Sequence, residues 1–385
     1  MFDPTPAQAA IVDAIGRICS NYDDAYWLAC DNDHRFPEEF VRDVAAAGYL
    51  GIAMPESVGG AGLGVTEAAS MMHRIASSGA GMAGVSAVHI NVFGPHPIAV
   101  FGTEEQKRRM LVPLIKGETR CCFGVTEPDA GLDTSSIKTK AERSGNGWVV
   151  SGRKMWTTTA QSATHILVLA RTSPKGRKPT DGLSLFYTAL DRAHVEVREI
   201  AKMGRHAVDT NMLFIDNLPV PADDLIGEEG KGFDQLLHAF NPERILIAAE
   251  AIGVGQDALR RAAKYARERV VFGRPIGQNQ AIQHPLARSW AELEAAWLMT
   301  MKAAALYDAG KPCGVEANAA KYLAAEAAFK ACETAVMTHG GMGYAREFHV
   351  ERLFREVLIA RIAPVSREMI LNFLAEKALG LPKSY

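Results

Sequence analysis

Two short segments near the middle of this 385-residue chain concentrate residue types that can hold a flat cofactor. Residues 123–133 (FGVTEPDAGLD) combine a hydroxyl, carboxylates and glycines, and residues 154–159 (KMWTTT) set a tryptophan beside hydrogen-bond donors. Exposed backbone amides and a short hydroxyl suit the polar edge of a ring or a phosphate. Each segment alone also has a plainer interpretation: an ordinary turn for the first and a buried strand tryptophan for the second.

The composition of the chain favours small-molecule chemistry in a reducing compartment. The net charge of −2 gives no electrostatic reason to expect nucleic acid or an anionic membrane as a partner. No apolar run approaches the roughly 18 residues that a membrane span needs. Six cysteines are too few for a disulfide scaffold, and the eleven histidines show no paired spacing on one helix face, so no metal site is predicted. Residues 1–6 lack the features of a secretory signal, and we expect a cytoplasmic protein.

Alanine usage divides the chain. Residues 231–385 contain 31 alanines in 155 positions, whereas residues 121–230 contain 10 in 110, and alanine favours helix. We therefore predict three domains: a helical domain over residues 1–120, a middle β domain over 121–230 and a carboxy-terminal helical domain over 231–385. The expected fold is mainly α, with a central β-barrel-like domain and a carboxy-terminal four-helix bundle.

Local signals predict individual elements inside these domains. One amino-terminal helix should end at Gly48, and another should begin after Thr103, a good N-cap residue. Short apolar runs at residues 165–170 and 183–187 predict strands, and Asn-Gly at 146–147 predicts a hairpin turn.

Apolar stripes predict long helices in the carboxy-terminal domain. One stripe follows steps of four and three residues: Leu286, Trp290, Leu293, Trp297 and Met301. A second stripe consists of Ile245, Ala249, Ile252 and Leu259. A final helix should run from Ser366, as N-cap, to Gly380 at its carboxy-terminal end.

Taken together, the two central segments resemble those of the acyl-CoA dehydrogenase family. Further matches lie in residues 55–60 (PESVGG), in 269–276 (RVVFGRPI), and in 339–344 (HGGMGY) followed by 352–355 (RLFR). These matches are collinear, and the resemblance covers essentially the whole chain. It implies an FAD cofactor held at the junction of the β domain and the helical bundle.

The resemblance also implies roles for individual residues around FAD. Thr126 would hydrogen-bond the edge of the isoalloxazine ring, Trp156 would pack against the ring, and Thr158 would donate a hydrogen bond near N5. Aromatic contact and donors at that edge favour the electron-rich reduced flavin. Gly340 and Gly341 would let the backbone approach the cofactor closely, because they carry no side chain.

Arg269 and Phe272 resemble the pair that reaches the FAD of a neighbouring subunit in relatives; the alternative for Arg269 is a solvated helix end. Two positions depart from the family pattern. Leu132 stands where a serine or threonine is usual, and Met337 stands where many relatives carry glutamine. The side chains at these two positions therefore cannot make the polar contacts to FAD that the family pattern implies. Backbone amides would have to replace those contacts.

The catalytic base must be placed by comparison as well. Short- and medium-chain relatives carry it in a segment that matches residues 362–366 (IAPVS), which offers no carboxylate. Isovaleryl-CoA and long-chain relatives instead carry a glutamate on the first bundle helix, and here residues 240–244 (FNPER) supply Glu243. The alternative is structural: Asn241 as N-cap followed by Pro242 and Glu243 would start a helix without any catalysis.

The expected activity follows from this resemblance. Glu243 would abstract the α-proton of an acyl-CoA and flavin N5 would accept the β-hydride, which yields the 2,3-enoyl-CoA. Arg244 would either contact the CoA portion or form a surface salt bridge. Ala363 and Pro364, which are smaller than the family's tyrosine and glutamate, hint at branched or longer acyl chains.

The resemblance further implies partners, and two other functions remain open. Relatives are usually tetramers, so we expect a homotetramer or homodimer, with electron-transferring flavoprotein as electron acceptor. The alternatives are a flavin-dependent monooxygenase of the same fold and a non-catalytic acyl-CoA- or flavin-binding protein.

Overall fold

The structure, a computed structural model, describes residues 4–384. Residues 1–3, which contribute to the expectation of a cytoplasmic protein, lie outside the described residues. The amino-terminal part of the chain folds into helices: α1 Pro6–Cys19, α2 Asp24–Asn32, α3 Glu38–Ala46, α4 Val65–Ile75, α5 Gly81–Phe93, α6 His96–Phe101 and α7 Glu104–Ile115. As predicted, α3 ends just before Gly48, whose φ of +79° suits glycine. Thr103 caps α7 by accepting a hydrogen bond from the backbone N–H of Gln106.

The middle of the chain forms one sheet of eight strands: β1 Cys121–Gly124, β2 Lys140–Ser144, β3 Gly147–Thr158, β4 His165–Arg171, β5 Leu183–Ala189, β6 Val195–Glu199, β7 Thr210–Pro221 and β8 Leu225–Ile226. The strand order is β6-β7-β3-β2-β4-β5-β8, and β1 pairs with β4 in parallel. The end strands β6 and β8 do not pair with each other in the described chain, so the sheet is open. The predicted hairpin joins β2 and β3, but its turn is Gly145-Asn146, because Gly147 already pairs with Ser144.

The carboxy-terminal part contains six helices and a small hairpin among the described residues: α8 Gly232–Glu268, β9 Val270–Val271, β10 Arg274–Pro275, α9 Gln280–Asp308, α10 Gly314–His339, α11 Val350–Val357, α12 Ile359–Ile362 and α13 Arg367–Lys377. Helices α8, α9 and α10 pack on one another, and α13 packs on α10. Three long helices, α8, α9 and α10, and the shorter α13 make up the four helices expected of a bundle, with α11 and α12 as additional short ones. Ser366 caps α13, as its position predicts.

The helix start predicted at residues 241–243 is wrong. Helix α8 begins ten positions before Pro242 and continues through it. Proline in a helix interior removes one backbone hydrogen bond, but Leu236 and Ala239, on the turns before it, are completely buried. Tertiary packing of these turns outweighs the local stop signal. Glu243 is therefore an interior residue of α8 and receives no stabilisation from a helix amino terminus.

The sheet connects the two helical parts because β4 is buried on both faces. Ile166 and Val168 face a core that the β region forms by itself. Leu167 and Leu169 face a second core, which also contains Leu236 of α8. Alternation along a strand sends successive side chains to opposite faces. The sheet thus packs against α8 through the face that carries Leu167 and Leu169.

The apolar stripes of the bundle are buried to different extents. In the second stripe Ile245, Ala249 and Ile252 have no exposed surface. In the first stripe Leu293 is buried, but Trp290 is 60% exposed. A single chain therefore leaves part of the apolar surface of α9 uncovered. In the part of the chain that the structure describes, no helix combines the length and hydropathy needed to cross a membrane.

Candidate active site

One buried lysine connects residues 154–159 to residues 123–133 by hydrogen bonds. Lys154, in β3, has no exposed surface, and its Nζ donates hydrogen bonds to Glu127 Oε1 at 3.0 Å, to the Val125 carbonyl at 3.1 Å and to the Leu169 carbonyl at 2.8 Å. Burial lowers the pKa of Lys154 to about 8, against the opposing charge of Glu127. A buried ammonium with all of its donors used fixes the positions of the groups around it.

The carboxylate of Glu127 completes this arrangement. It accepts hydrogen bonds from the backbone N–H groups of Lys138 and Thr139 at 2.6 and 2.9 Å. Thr126 lies between Val125 and Glu127, which Lys154 binds, and its carbonyl accepts a hydrogen bond from the N–H of Met155 at 2.8 Å. The hydroxyl of Thr126 makes no hydrogen bond to any other described residue, so it remains available to a ligand.

Trp156 is directed outward and not into the sheet. Its side chain is 54% exposed, so the interpretation as a buried strand tryptophan is wrong. The register of β3 against β7 shifts between Lys154 and Thr157, and Trp156 has a φ of +62°. Such a bulge re-aims a side chain. The hydroxyl of Thr158 likewise has no partner within residues 4–384, so an indole face and two hydroxyls are free to contact a flat ring.

The other residues expected around the cofactor are also accessible. Phe272 is fully exposed at the tip of the β9–β10 hairpin, and Arg269 precedes this hairpin at the surface. Side chains added at Gly340 and Gly341 would meet no atom within 4 Å, so space is open above this backbone. These groups fit the ring and the polar parts of FAD.

The two departures from the family pattern are exposed apolar residues. Leu132 is 60% exposed and Met337 is 74% exposed. Neither side chain can donate a hydrogen bond. Polar contacts to a cofactor at these two places would have to come from backbone groups.

Glu243 lies on α8, in an environment that favours its neutral form. Its side chain is partly buried, and its Oε2 is shielded from solvent without a hydrogen-bond partner. Burial raises the pKa of Glu243 to about 7, against the charges of His89 and Arg244, which lower it. A carboxylate with a pKa near neutrality is matched to the removal of a proton at physiological pH.

Arg244 and Lys321 are the other cations near Glu243. Arg244 donates a hydrogen bond to Asn241 Oδ1 at 3.1 Å, and its Nε, buried, has no partner. It forms no salt bridge within the described part of the chain, so the surface salt-bridge alternative finds no support. Lys321, on α10, donates to the Val365 carbonyl at 2.6 Å. Burial, with the charge of Arg244, lowers the pKa of Lys321 to about 8.

A buried ion pair near Glu243 was not predicted from the sequence. His89, on α5, donates from Nδ1 to Glu250 Oε1 of α8 at 2.6 Å, and both side chains are buried. Burial disfavours protonation of His89, but the charge and hydrogen bond of Glu250 outweigh it and raise the pKa of the imidazole. The only signal in the sequence is a polar residue on each of two strongly apolar helix faces, 161 positions apart.

Comparisons with known proteins agree with this architecture. Residues 5–118, 122–218 and 230–379 match family models for the amino-terminal, middle and carboxy-terminal domains of acyl-CoA dehydrogenase. The chain is 37% identical to acyl-CoA dehydrogenase FadE12 of Mycobacterium tuberculosis, over 100% of this chain and 99% of that protein.

Solved structures are similar over the whole length. Butyryl-CoA dehydrogenase from Megasphaera elsdenii has a TM-score of 0.93 and 29% identity, over 99% of this chain and 100% of that one. A structure described as the electron transferring flavoprotein of Acidaminococcus fermentans has a TM-score of 0.92 and 31% identity, over 98% and 99%. The protein belongs to the acyl-CoA dehydrogenase family. It is an FAD-dependent oxidoreductase that dehydrogenates acyl-CoA thioesters.

Proposed function

We propose that Glu243 is the base that removes the α-proton of the acyl-CoA. The observation that supports this role is a carboxylate oxygen that is shielded from solvent and has no hydrogen-bond partner among residues 4–384, on a group whose pKa burial raises to about 7. An oxygen in this state is ready to accept a proton from a bound substrate. The segment that carries the base in short-chain relatives contains only Ala363 and Pro364 at the matching positions.

Several residues would hold the cofactor in this proposal. The hydroxyls of Thr126 and Thr158 would bind the polar edge of FAD, Trp156 would cover the ring, and the open backbone at Gly340 and Gly341 would lie against it. FAD, when bound, supplies the acceptor for the hydride that leaves the β-carbon. Arg244 would contact the CoA portion, since its Nε is buried without a partner.

The exposed apolar side chains support an assembly of several copies. Phe272, Trp290 and Tyr344 are at least 60% exposed, and large exposed apolar groups of this kind mark contact surfaces. We propose a homotetramer or homodimer in which Arg269 and Phe272 reach the FAD of a neighbouring subunit. We further propose a cytoplasmic enzyme of fatty acid metabolism that passes its electrons to electron-transferring flavoprotein.

The acyl chain is branched or longer than that of short-chain substrates in this proposal. Ala363 and Pro364 are small and leave more room than a tyrosine and a glutamate would. A panel of straight, branched and aromatic acyl-CoAs, mixed with the FAD-loaded enzyme without oxygen, ranks the substrates by how fast the flavin absorbance bleaches.

The base assignment is tested with Glu243→Gln in the same experiment. The variant should bind FAD and acyl-CoA and yet lose about 10²–10⁴-fold in the rate of bleaching, the usual contribution of a positioned base. Glu333→Gln is the control, because the half-exposed carboxylate of Glu333 pairs with Lys330 on its own helix. Rapid bleaching of Glu243→Gln would refute the assignment. Absence of bleaching by every acyl-CoA in the wild type would instead favour a monooxygenase or a binding protein.

A further inference from the structure

The buried pair of His89 and Glu250 lies close to Glu243 but has no role in the chemistry described so far. Glu250 follows Glu243 by seven residues on α8, which places it two turns along the same helix face, about 10 Å away. His89 reaches this face from α5, and its contact with Glu250 measures 2.6 Å. Each of the two glutamates has one shielded oxygen without a partner. His89 and Glu250 are thus buried where α5 packs on α8, and the shielded oxygen of Glu243 lies two turns away on α8.

We propose that His89, held protonated by Glu250, is a positioning residue that keeps Glu243 ionised in the candidate active site. The inference rests on the proposed role of Glu243 as the base. Burial alone would keep Glu243 protonated, and a protonated carboxyl group cannot remove the α-proton of the substrate. Protonated His89, on α5, offsets this effect by stabilising the ionised form of Glu243. Glu250 in turn stabilises the proton on the buried imidazole of His89.

The other charges around these groups do not replace His89. Glu243 is faced by His89 from α5, by Arg244 and Glu250 from α8, and by Lys321 from α10, and the pKa-lowering effect of His89 is the largest among them. Arg244 and Lys321 have other bonds, to Asn241 and to the carbonyl of residue 365. His89 in turn is influenced by Glu250, Glu243 and Arg205, and the effect of Glu250 is the strongest of these charges.

A partly buried histidine offers a control. His73, on α4, donates to Gln256 Oε1 of α8 at 2.7 Å. Burial lowers the pKa of His73 to about 4, so this imidazole is neutral near physiological pH. His73→Gln therefore removes a partly buried contact to the same helix without removing a charge near Glu243.

The proposal is tested by the pH dependence of flavin bleaching in the FAD-loaded enzyme. In the wild type the rate should rise with pH as Glu243 ionises. His89→Gln should move this rise upward by about one pH unit or more, so that the rate falls about tenfold on the acidic side and recovers at high pH. Glu250→Gln should move the rise in the same direction but by less. Without Glu250 the imidazole of His89 also loses its charge, so both charges disappear. They act on Glu243 with opposite signs, and the effect of His89 is the larger one. His73→Gln should leave the pH profile unchanged.

A spectroscopic measurement separates this effect from turnover. An acyl-CoA analogue with sulfur in place of the β-carbon can lose its α-proton but has no β-hydride, so it should form a long-wavelength absorption band with the bound flavin only when Glu243 has accepted the proton. The pH at which the band appears should shift in the order wild type, Glu250→Gln, His89→Gln.

An unshifted profile and band in His89→Gln, or a loss of rate that is equal at every pH, would overturn the role of His89. If that variant does not fold, an unshifted profile in Glu250→Gln would do the same. If the wild type forms no band and shows no bleaching with any acyl-CoA, the proposed role of Glu243 fails first. The two failures are thus distinguishable.

Discussion

Lys154 Nζ lies 3.0 Å from Glu127 Oε1, and neither side chain has appreciable exposure to solvent. Lys154 binds the residues on either side of Thr126, Val125 and Glu127. The ion pair therefore fixes the position of Thr126 relative to Trp156. Both residues were singled out from the sequence, but the bond that sets their spacing was not. The ion pair therefore connects the stability of the β domain to the geometry of the candidate cofactor site.

Substitution of one partner should be costly. Lys154→Met leaves the Glu127 carboxylate buried beside an apolar side chain, and breaking a buried pair in this way costs about 3–5 kcal/mol of unfolding free energy. Urea denaturation of the apoprotein measures this cost. The double variant Lys154→Met with Glu127→Leu should regain part of it, and a double variant less stable than the single one would contradict the explanation.

Glu243 should reduce the stability of the protein as the pH rises. Its pKa is raised from an ordinary carboxyl value to about 7 in the folded state, so the folded protein retains a proton that the unfolded chain has released. The stabilising effect is present at acidic pH and is lost as the pH rises through about 7. Glu243→Gln should thus be more stable than the wild type at about pH 8, on the order of 3 kcal/mol, with little difference at about pH 4. Unfolding of the apoproteins at both pH values checks this, and an equal effect at both would count against it.

Trp156 should contribute to FAD affinity through its exposed indole face. Trp156→Ala should weaken binding by up to about tenfold, whereas Trp156→Phe should retain most of it, because an aromatic contact is worth about 0.5–1.5 kcal/mol. Titration of the apoprotein with FAD measures both. Equal affinity of the alanine variant and the wild type would remove Trp156 from the cofactor site.

Met337→Gln tests the departure from the family pattern. Glutamine at this exposed position would add a hydrogen bond to FAD, worth about 0.5–1.5 kcal/mol, or about two- to tenfold in affinity. Met342→Gln is a suitable control, since Met342 is 45% exposed in the neighbouring turn. If both substitutions change FAD affinity equally, position 337 has no special contact with the cofactor.

Phe272 should be needed for assembly and not for folding of the monomer. Phe272→Asp should dissociate the oligomer and lower its FAD content, while a single exposed position changes monomer stability by only about 0.5 kcal/mol. Light scattering after gel filtration measures the mass. Leu379→Asp, at a residue 72% exposed near the carboxy terminus, provides the comparison. An intact oligomer in Phe272→Asp would show that the hairpin is not part of the interface.

Local patterns predicted the elements well where one short-range effect decides the conformation. The Thr103 cap and the Ser366 cap were found because side-chain oxygens satisfy helix N–H groups in a recognisable pattern. The same type of signal failed at Asn241-Pro242, where burial of Leu236 and Ala239 extends α8 backwards. No local pattern contains that information.

The candidate site shows the same division. Glu243 and Trp156 were chosen as candidates because relatives carry matching residues in matching motifs. Lys154 was within a quoted motif, but its buried position depends on the pairing of β3 with its neighbours. His89 and Glu250 came together only through the packing of α5 on α8. Pairs of distant residues are set by tertiary packing, which one sequence without an alignment does not reveal.

The course of α8 has a consequence for how the protein melts. Its first turns contribute Leu236 to the core shared with the sheet, and Ala239 and the turns after Pro242 contribute to the core shared with the amino-terminal helices. This single 37-residue helix therefore couples the two cores, because unpacking of either one removes contacts that hold it. Heating should therefore give one sharp calorimetric peak and not three, although the chain is built from three domain-sized regions.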